Sequence, residues 1–213
     1  MVQIVTDPIL KVPETAHAIE QKRRILEAAS RVFRRQGLHA TGMRDIAAEL
    51  DMHAGNLYYY FRNKHDLLAF CQEEALTGLL EAAEEILASD APTGERLGRL
   101  IVVHVERVNE QTPGSLAHLE VEALEEPWRR AIQERRDAYE RVYRLLIERG
   151  VEEGCFQTND PRVAAMAILG ALNWTVKWYR PGGRKDASEI GREFAELLVA
   201  GLTARAKSRD GSH

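Results

Sequence analysis

The chain has 213 residues, 45% hydrophobic and 29% charged, with only 15 Gly and 7 Pro and a net charge of −4. This composition supplies one sizeable core, or a small domain with a larger one, and points to an all-α protein rather than a sandwich or barrel. No apolar run approaches the roughly 20 residues needed to cross a bilayer, and the start MVQIVTDPILKVPE lacks the regions of a signal peptide, so a cytoplasmic location without membrane contact is expected.

The average charge hides an asymmetry. Residues 1–66 contain ten Lys/Arg and eight Asp/Glu, whereas residues 67–213 contain 19 and 25. A mildly basic head on an acidic body suits a protein that touches phosphate with one end. Cys71 and Cys155 form no CxxC pair and read as reduced residues on helices.

Residues 1–17 carry no assignable pattern and stand as an N-terminal extension of unknown role. The first helix is AIEQKRRILEAASRVFRRQG, where Ile25, Ala28, Ala29, Val32 and Phe33 form one apolar face and Gly37 supplies the stop. A short helix over 43–51 directs Ile46, Ala47 and Leu50 inwards. A break at Asp51–Met52 leads into HAGNLYYYF, and two short helices joined so tightly predict a helix-turn-helix unit.

Four adjacent aromatics cannot share one helical face, because successive residues point about 100° apart. Leu57 and Phe61 are expected to pack inwards, with Tyr58, Tyr59 and Tyr60 fanning over the exposed side. Tyrosines there can cover a sugar or thymine methyl and donate to phosphate. The alternative is an edge strand, which Tyr and Phe favour. Asn63 reads as the cap of a long helix, with Asp66 completing a capping-box-like pair. Lys64 sits in its first turn, where an approaching phosphate would meet both the lysine and free N–H groups.

The stretch RRILEAASRVFRRQGLHATGMRDIAAELDMHAGNLYYYFRNKHDLL, about residues 20–68, resembles the DNA-binding domain of TetR-family (tetracycline-repressor-like) regulators. The resemblance implies that Arg44, Asn56, Tyr58, Tyr59, Tyr60 and Lys64 lie at or beside double-stranded DNA. Asn56 and Tyr59 would face base edges, Tyr58, Tyr60 and Lys64 phosphates, and Arg44 a groove or phosphate. Gly42 stands where the family often has Thr, and His53 where Ser often caps the recognition helix, leaving His53 to cap or to touch DNA. Asp51 occupies the usual turn glycine.

Further helices are expected over 95–111, 116–126, 127–154 with Pro127 in the first turn, 161–180 after the Asp160 cap, and 187–202 after an Asp186…Glu189 capping box. The resulting boundaries are 1–17 for the extension, 18–66 for a three-helix head and 67–206 for a six-helix ligand-binding and dimerisation body. Ile190, Phe194, Leu197, Leu198 and Gly201 form an apolar stripe that a second copy would cover, giving a homodimer on a pseudo-palindromic operator; intramolecular packing is the alternative.

A sensing body needs polar groups in an apolar setting. His104 interrupts LIVVHV, His118 sits in SLAHLEVEAL, and Asn173, Trp174 and Lys177 share a side of their helix. Each histidine taken alone is more simply a satisfied core or surface residue, while a mid-helix Asn demands a partner. GALNWTVKWYRPGGRKDASEIGREFAELLVAGL (170–202) resembles a TetR subgroup that answers to acyl-coenzyme A thioesters of lipid, sterol or aromatic-acid breakdown. That resemblance implies a small-molecule effector with an apolar tail and phosphates, the latter met by Lys177, Arg107 or Arg180. Alternatives are a flat or cationic xenobiotic, a metal or redox sensor using His104, His118 or Cys155, and a helical enzyme. No phosphate loop, GxSxG or HExxH stands in the sequence, so no catalytic residue, metal or cofactor is expected.

Overall fold

A computed structural model describes residues 15–37, 39–111 and 124–203. His118 and residues 116–123 of the expected helix 116–126 lie outside them, and residues 124–126 are not helical. Among the described residues there are eight α-helices and no strand beyond one isolated bridge, Phe156 to Thr203.

Three helices make the head: α1 (Ala16–Gln36), α2 (Met43–Glu49) and α3 (Ala54–Tyr60). Thr15 caps α1 through its side chain, and Gly37 ends it with φ of 84°. Asp45 accepts the N–H of Gly42 at 2.7 Å and so holds the entry to α2, where the glycine has no side chain to cap with. Asp51 takes the left-handed turn position, φ 53°, a conformation a short polar side chain tolerates. Tyr58, Tyr59 and Tyr60 are helical and Phe61 is the C-cap of the same helix, which overturns the edge-strand alternative.

The long α4 (Lys64–Ala88) follows its Asn63 cap, whose Oδ1 accepts the N–H of Asp66 at 2.8 Å. The reciprocal half of the expected capping box is missing, because the Asp66 carboxylate pairs with Arg62 at 2.7 Å. Beyond it lie α5 (Thr93–Glu106), a π-helical turn (Arg107–Gln111), α6 (Trp128–Glu152), α7 (Pro161–Trp178) and α8 (Ala187–Leu202). The expected single helix over 95–111 therefore changes winding just after His104. Pro127 is the N-cap of α6 rather than a residue of its first turn. Asp160 caps α7 through bonds to Arg162 and Val163, and Asp186 and Glu189 exchange both bonds of a capping box at α8.

Two apolar clusters hold these helices. The head cluster combines Ile25, Phe33, Ile46, Leu57 and Phe61 with Leu67, Leu68 and Leu76 of α4, and also takes in Leu124, ahead of α6, and Ile132 near the start of α6. The body cluster runs from Leu79 and Ala83 through Leu97, Ile101, Val142, Ile147, Ile168 and Leu172. Two glycines allow close approaches within the body. A Cβ on Gly191 of α8 would stand 3.0 Å from Val102 Cα of α5, so the absent side chain lets these backbones nearly touch. The Phe156 ring lies directly over Gly150, where a Cβ would meet it at 2.0 Å.

The predicted dimer stripe divides. Ile190 is only 9% exposed and packs within the body, and Phe194 and Leu198 lean on the same cluster, so for these residues intramolecular packing prevails. Leu197 points outwards at 73% exposure, and Gly201 has open space around its Cα.

Candidate functional site

Two groups of polar residues stand out, one on the head and one inside the body. On the head, Leu57 and Phe61 are buried, as their i, i+4 spacing requires, and this anchors α3. Tyr58 and Tyr59 are 47% and 83% exposed. Tyr60 departs from expectation: it is half-buried, packs against the head cluster and meets Tyr59 edge-to-face at 5.1 Å. Arg44, His53 and Asn56 are exposed. His53 is the N-cap residue of α3 but makes no side-chain capping bond, so its imidazole is not consumed by the helix end. Lys64 lies in the first turn of α4, and partial burial pushes its ammonium down from the usual lysine range. An anion nearby would oppose that shift by favouring the charged form.

A groove of about 460 Å³ runs between α1 and the turn into α3, lined by His17, Gln21 and Arg24 on one side and His53, Asn56 and Tyr59 on the other. Its α1 wall was not anticipated from sequence. Basic residues on a helix face read as solvated surface until the turn opposite is in place.

Inside the body, His104 is 1% exposed. Its Nδ1 lies 3.2 Å from the Tyr139 hydroxyl, the two rings stack at 5.7 Å, and Tyr143 closes the set by donating to Leu100 O at 3.3 Å. Burial pushes the imidazole down to about 4, against the favourable influence of the Asn173 side chain, and the Arg136 guanidinium lowers it further. Burial likewise raises both tyrosine hydroxyls above their usual range. The ring is therefore neutral at pH 7. His104 Nε2 and Asn173 Oδ1 are buried without a well-formed hydrogen bond among the described residues. The two side chains act on each other through a poorly formed contact, and such a buried pair leaves room for a further polar group.

Trp174 and Lys177 do not join Asn173 in this cluster. Trp174, one 100° step from Asn173 along α7, is 61% exposed, and Lys177, one turn beyond Asn173, is exposed as well. Trp174 instead shares the outer face of α7 with Val163, Met166 and Trp178. Arg107 lies against Gly78 of α4, and Arg180 lines a separate cleft of about 390 Å³ with Arg184, Lys185, Trp178 and Phe194.

The residues that sequence reasoning missed come from other helices. Tyr139 and Tyr143 occur in an ordinary amphipathic pattern on α6, and nothing in that pattern marks their hydroxyls as buried. Asn109, in the π-helical turn, donates to Val105 O at 2.9 Å and to Thr175 Oγ1 at 2.7 Å, tying the turn to α7. Glu110 accepts from the Tyr179 hydroxyl and from the Ala187 N–H, tying it to the start of α8. A break in α-helical winding at a polar cluster is a frequent mark of a functional site. Among the described residues no three His, Cys, Asp or Glu converge as metal ligands, and both cysteines are free thiols. No helix there is long and apolar enough to cross a membrane.

Residues 25–70 match the family model of bacterial regulatory proteins, tetR family, and residues 90–202 match the tetracyclin repressor-like C-terminal domain. The chain is 34% identical to the TetR family transcriptional regulator PfmR from Thermus thermophilus, over 85% of this chain and 100% of that one, with a TM-score of 0.76. It is 26% identical to the ketosteroid transcriptional regulator KstR2 of Mycobacterium tuberculosis, over 92% and 98% of the two chains, with a TM-score of 0.78. AibR, solved in complex with isovaleryl coenzyme A and operator DNA, is 26% identical over 86% of this chain and 98% of its own, with a TM-score of 0.73. Two family models that together take in the helix-turn-helix head and most of the body, and a full-length likeness above 30%, lead to one conclusion: this chain belongs to the TetR family of transcriptional regulators.

Proposed function

We propose that the chain is a homodimeric repressor, released from a pseudo-palindromic DNA operator when an acyl-coenzyme A thioester enters its body. In this reading residues 18–66 are the DNA-binding head, the body begins at residue 67, and α4 belongs physically to both through its two apolar clusters. The observation that carries the effector class is the His104–Tyr139–Tyr143–Asn173 cluster within the body. With Nδ1 accepting from Tyr139, the neutral ring presents Nε2–H as a donor suited to a thioester carbonyl. Arg136 acts on His104 and Arg107 on Tyr139, so the charges felt by these two rings are guanidinium groups. That disfavours a cationic xenobiotic and favours a ligand bearing anionic groups. AibR, a relative by sequence and fold, binds isovaleryl coenzyme A together with operator DNA, which supports the same class.

DNA is met by Arg44, His53, Asn56, Tyr58, Tyr59 and Lys64, with Tyr60 shaping the platform under Tyr59. The second copy covers Val163, Met166, Trp174, Trp178 and Leu197, large apolar side chains from 43% to 73% exposed that form an unusually apolar surface on α7 and α8. A dimer spaces two α3 helices for successive major grooves.

A thermal-shift series with acyl-CoAs, the matching free acids and bare CoA tests the effector class. A thioester at a hundredfold its dissociation constant adds about 2.7 kcal/mol of stability, and Asn173→Ala removes most of that gain. Equal stabilisation by cationic dyes and none by any thioester overturns the reading.

A further inference from the structure

The basic residues of α1 have separate fates. Lys22 reaches over the Phe61 and Phe70 rings, 5.6 and 5.0 Å from their centres. Arg23 is held by Glu20 and Glu27 at 2.9 and 2.8 Å, and Arg31 and Arg35 share Glu49 at 2.8 and 3.0 Å. Arg24 is exposed and its charge is felt by Glu20 one turn earlier, but the Glu20 carboxylate is bonded to Arg23, and no carboxylate among the described residues forms an ion pair with Arg24. It lines the groove whose opposite wall is His53, Asn56 and Tyr59. Gln21 and His17, one and two turns earlier on α1, continue the same wall with two further hydrogen-bonding side chains. Asp51 is the single carboxylate lining the groove and makes no ion pair with Arg24.

We propose that α1 is a third wall of the DNA interface, in which Arg24 takes a backbone phosphate of the strand flanking α3, with Gln21 and His17 ranged along that strand. The inference rests on the DNA-binding reading and extends it to a helix outside the helix-turn-helix pair. An arginine whose guanidinium is not locked in an ion pair, beside the side chains aimed at base edges, suits a phosphate contact. Such a contact positions the head without reading sequence.

The test uses full-length protein and a duplex that the wild-type protein itself enriches from a randomised pool, with a scrambled duplex alongside. Affinity is measured by fluorescence anisotropy across a salt series. Losing one phosphate contact lowers the slope of log K against log salt by about 0.9 per head. Arg24→Ala is expected to lose that slope and to weaken both duplexes alike, while Arg24→Lys keeps the slope. Arg23→Ala, one residue away but held by two glutamates, is expected to leave it unchanged. A wild-type slope for Arg24→Ala, or an equal loss for Arg23→Ala, overturns the assignment while DNA binding itself stands. Failure of the wild-type protein to enrich any duplex overturns the DNA-binding reading and this inference together.

Discussion

In the head, Leu57 and Phe61 are buried while their neighbours Tyr58 and Tyr59 stand 47% and 83% exposed. In the body the tyrosines go the other way: Tyr139 and Tyr143 are 4% and 0% exposed and join His104 within the core. The head offers its polar groups to a partner that arrives from outside. The body has turned polar groups inwards, where they are costly unless something satisfies them. In the proposed reading one region serves a polymer surface and the other an enclosed small molecule.

If the head depends on a few buried side chains to present the rest, removing one should be severe. Leu57 is fully buried on the inner face of α3. Leu57→Ala is expected to cost about 2–5 kcal/mol in urea unfolding and to abolish DNA binding. A loss below about 1 kcal/mol would show that α3 is not anchored as described.

The body responds to acid instead. His104 is held down to about 4 by burial, whereas in the unfolded chain it titrates near its ordinary 6.5. Its contribution is fully present above about pH 6.5 and is lost as pH falls towards 4, because the unfolded state binds the proton first. The interval corresponds to about 3 kcal/mol. His104→Phe is expected to flatten that part of the stability–pH curve, and an unchanged curve would place the acid sensitivity elsewhere.

Close helix contacts give a smaller, graded effect. Gly191→Ala sets a Cβ against the Val102 backbone, which cannot yield, and is expected to cost about 1–3 kcal/mol. At Gly78→Ala the new Cβ meets only the Arg107 guanidinium, the end of a flexible side chain, so Gly191→Ala should be the more damaging of the two. Equal effects would mean that α5 and α8 adjust more freely than their separation suggests. Trp174→Ser should alter stability least and act on assembly, shifting sedimentation towards monomer.

The same contrast explains what could be read from sequence. The head's helices, the burial of Leu57 and Phe61 and the exposure of Tyr58 and Tyr59 follow from periodicity within about twenty residues. Helix caps at Asn63, Asp160 and Asp186 are local for the same reason. The body cluster draws on α5, α6 and α7, and its members become neighbours only once those helices pack. His104 and Asn173 were visible because each interrupts an apolar run, whereas Tyr139 and Tyr143 interrupt nothing. Trp174 was misplaced because sharing a side of a helix does not say which side faces inwards. Ile190 was assigned outwards because the packing of α8 into the body cluster could not be placed.

The decisive measurement is release of the enriched duplex from the wild-type protein, followed by anisotropy as an acyl-CoA, its free acid or bare CoA is added. Release by the thioester alone, lost in Asn173→Ala with duplex affinity intact, is the expected result. A protein–DNA complex that no thioester dissociates, or that bare CoA dissociates equally well, would contradict the assignment of the buried His104–Asn173 cluster as the acyl-CoA sensor.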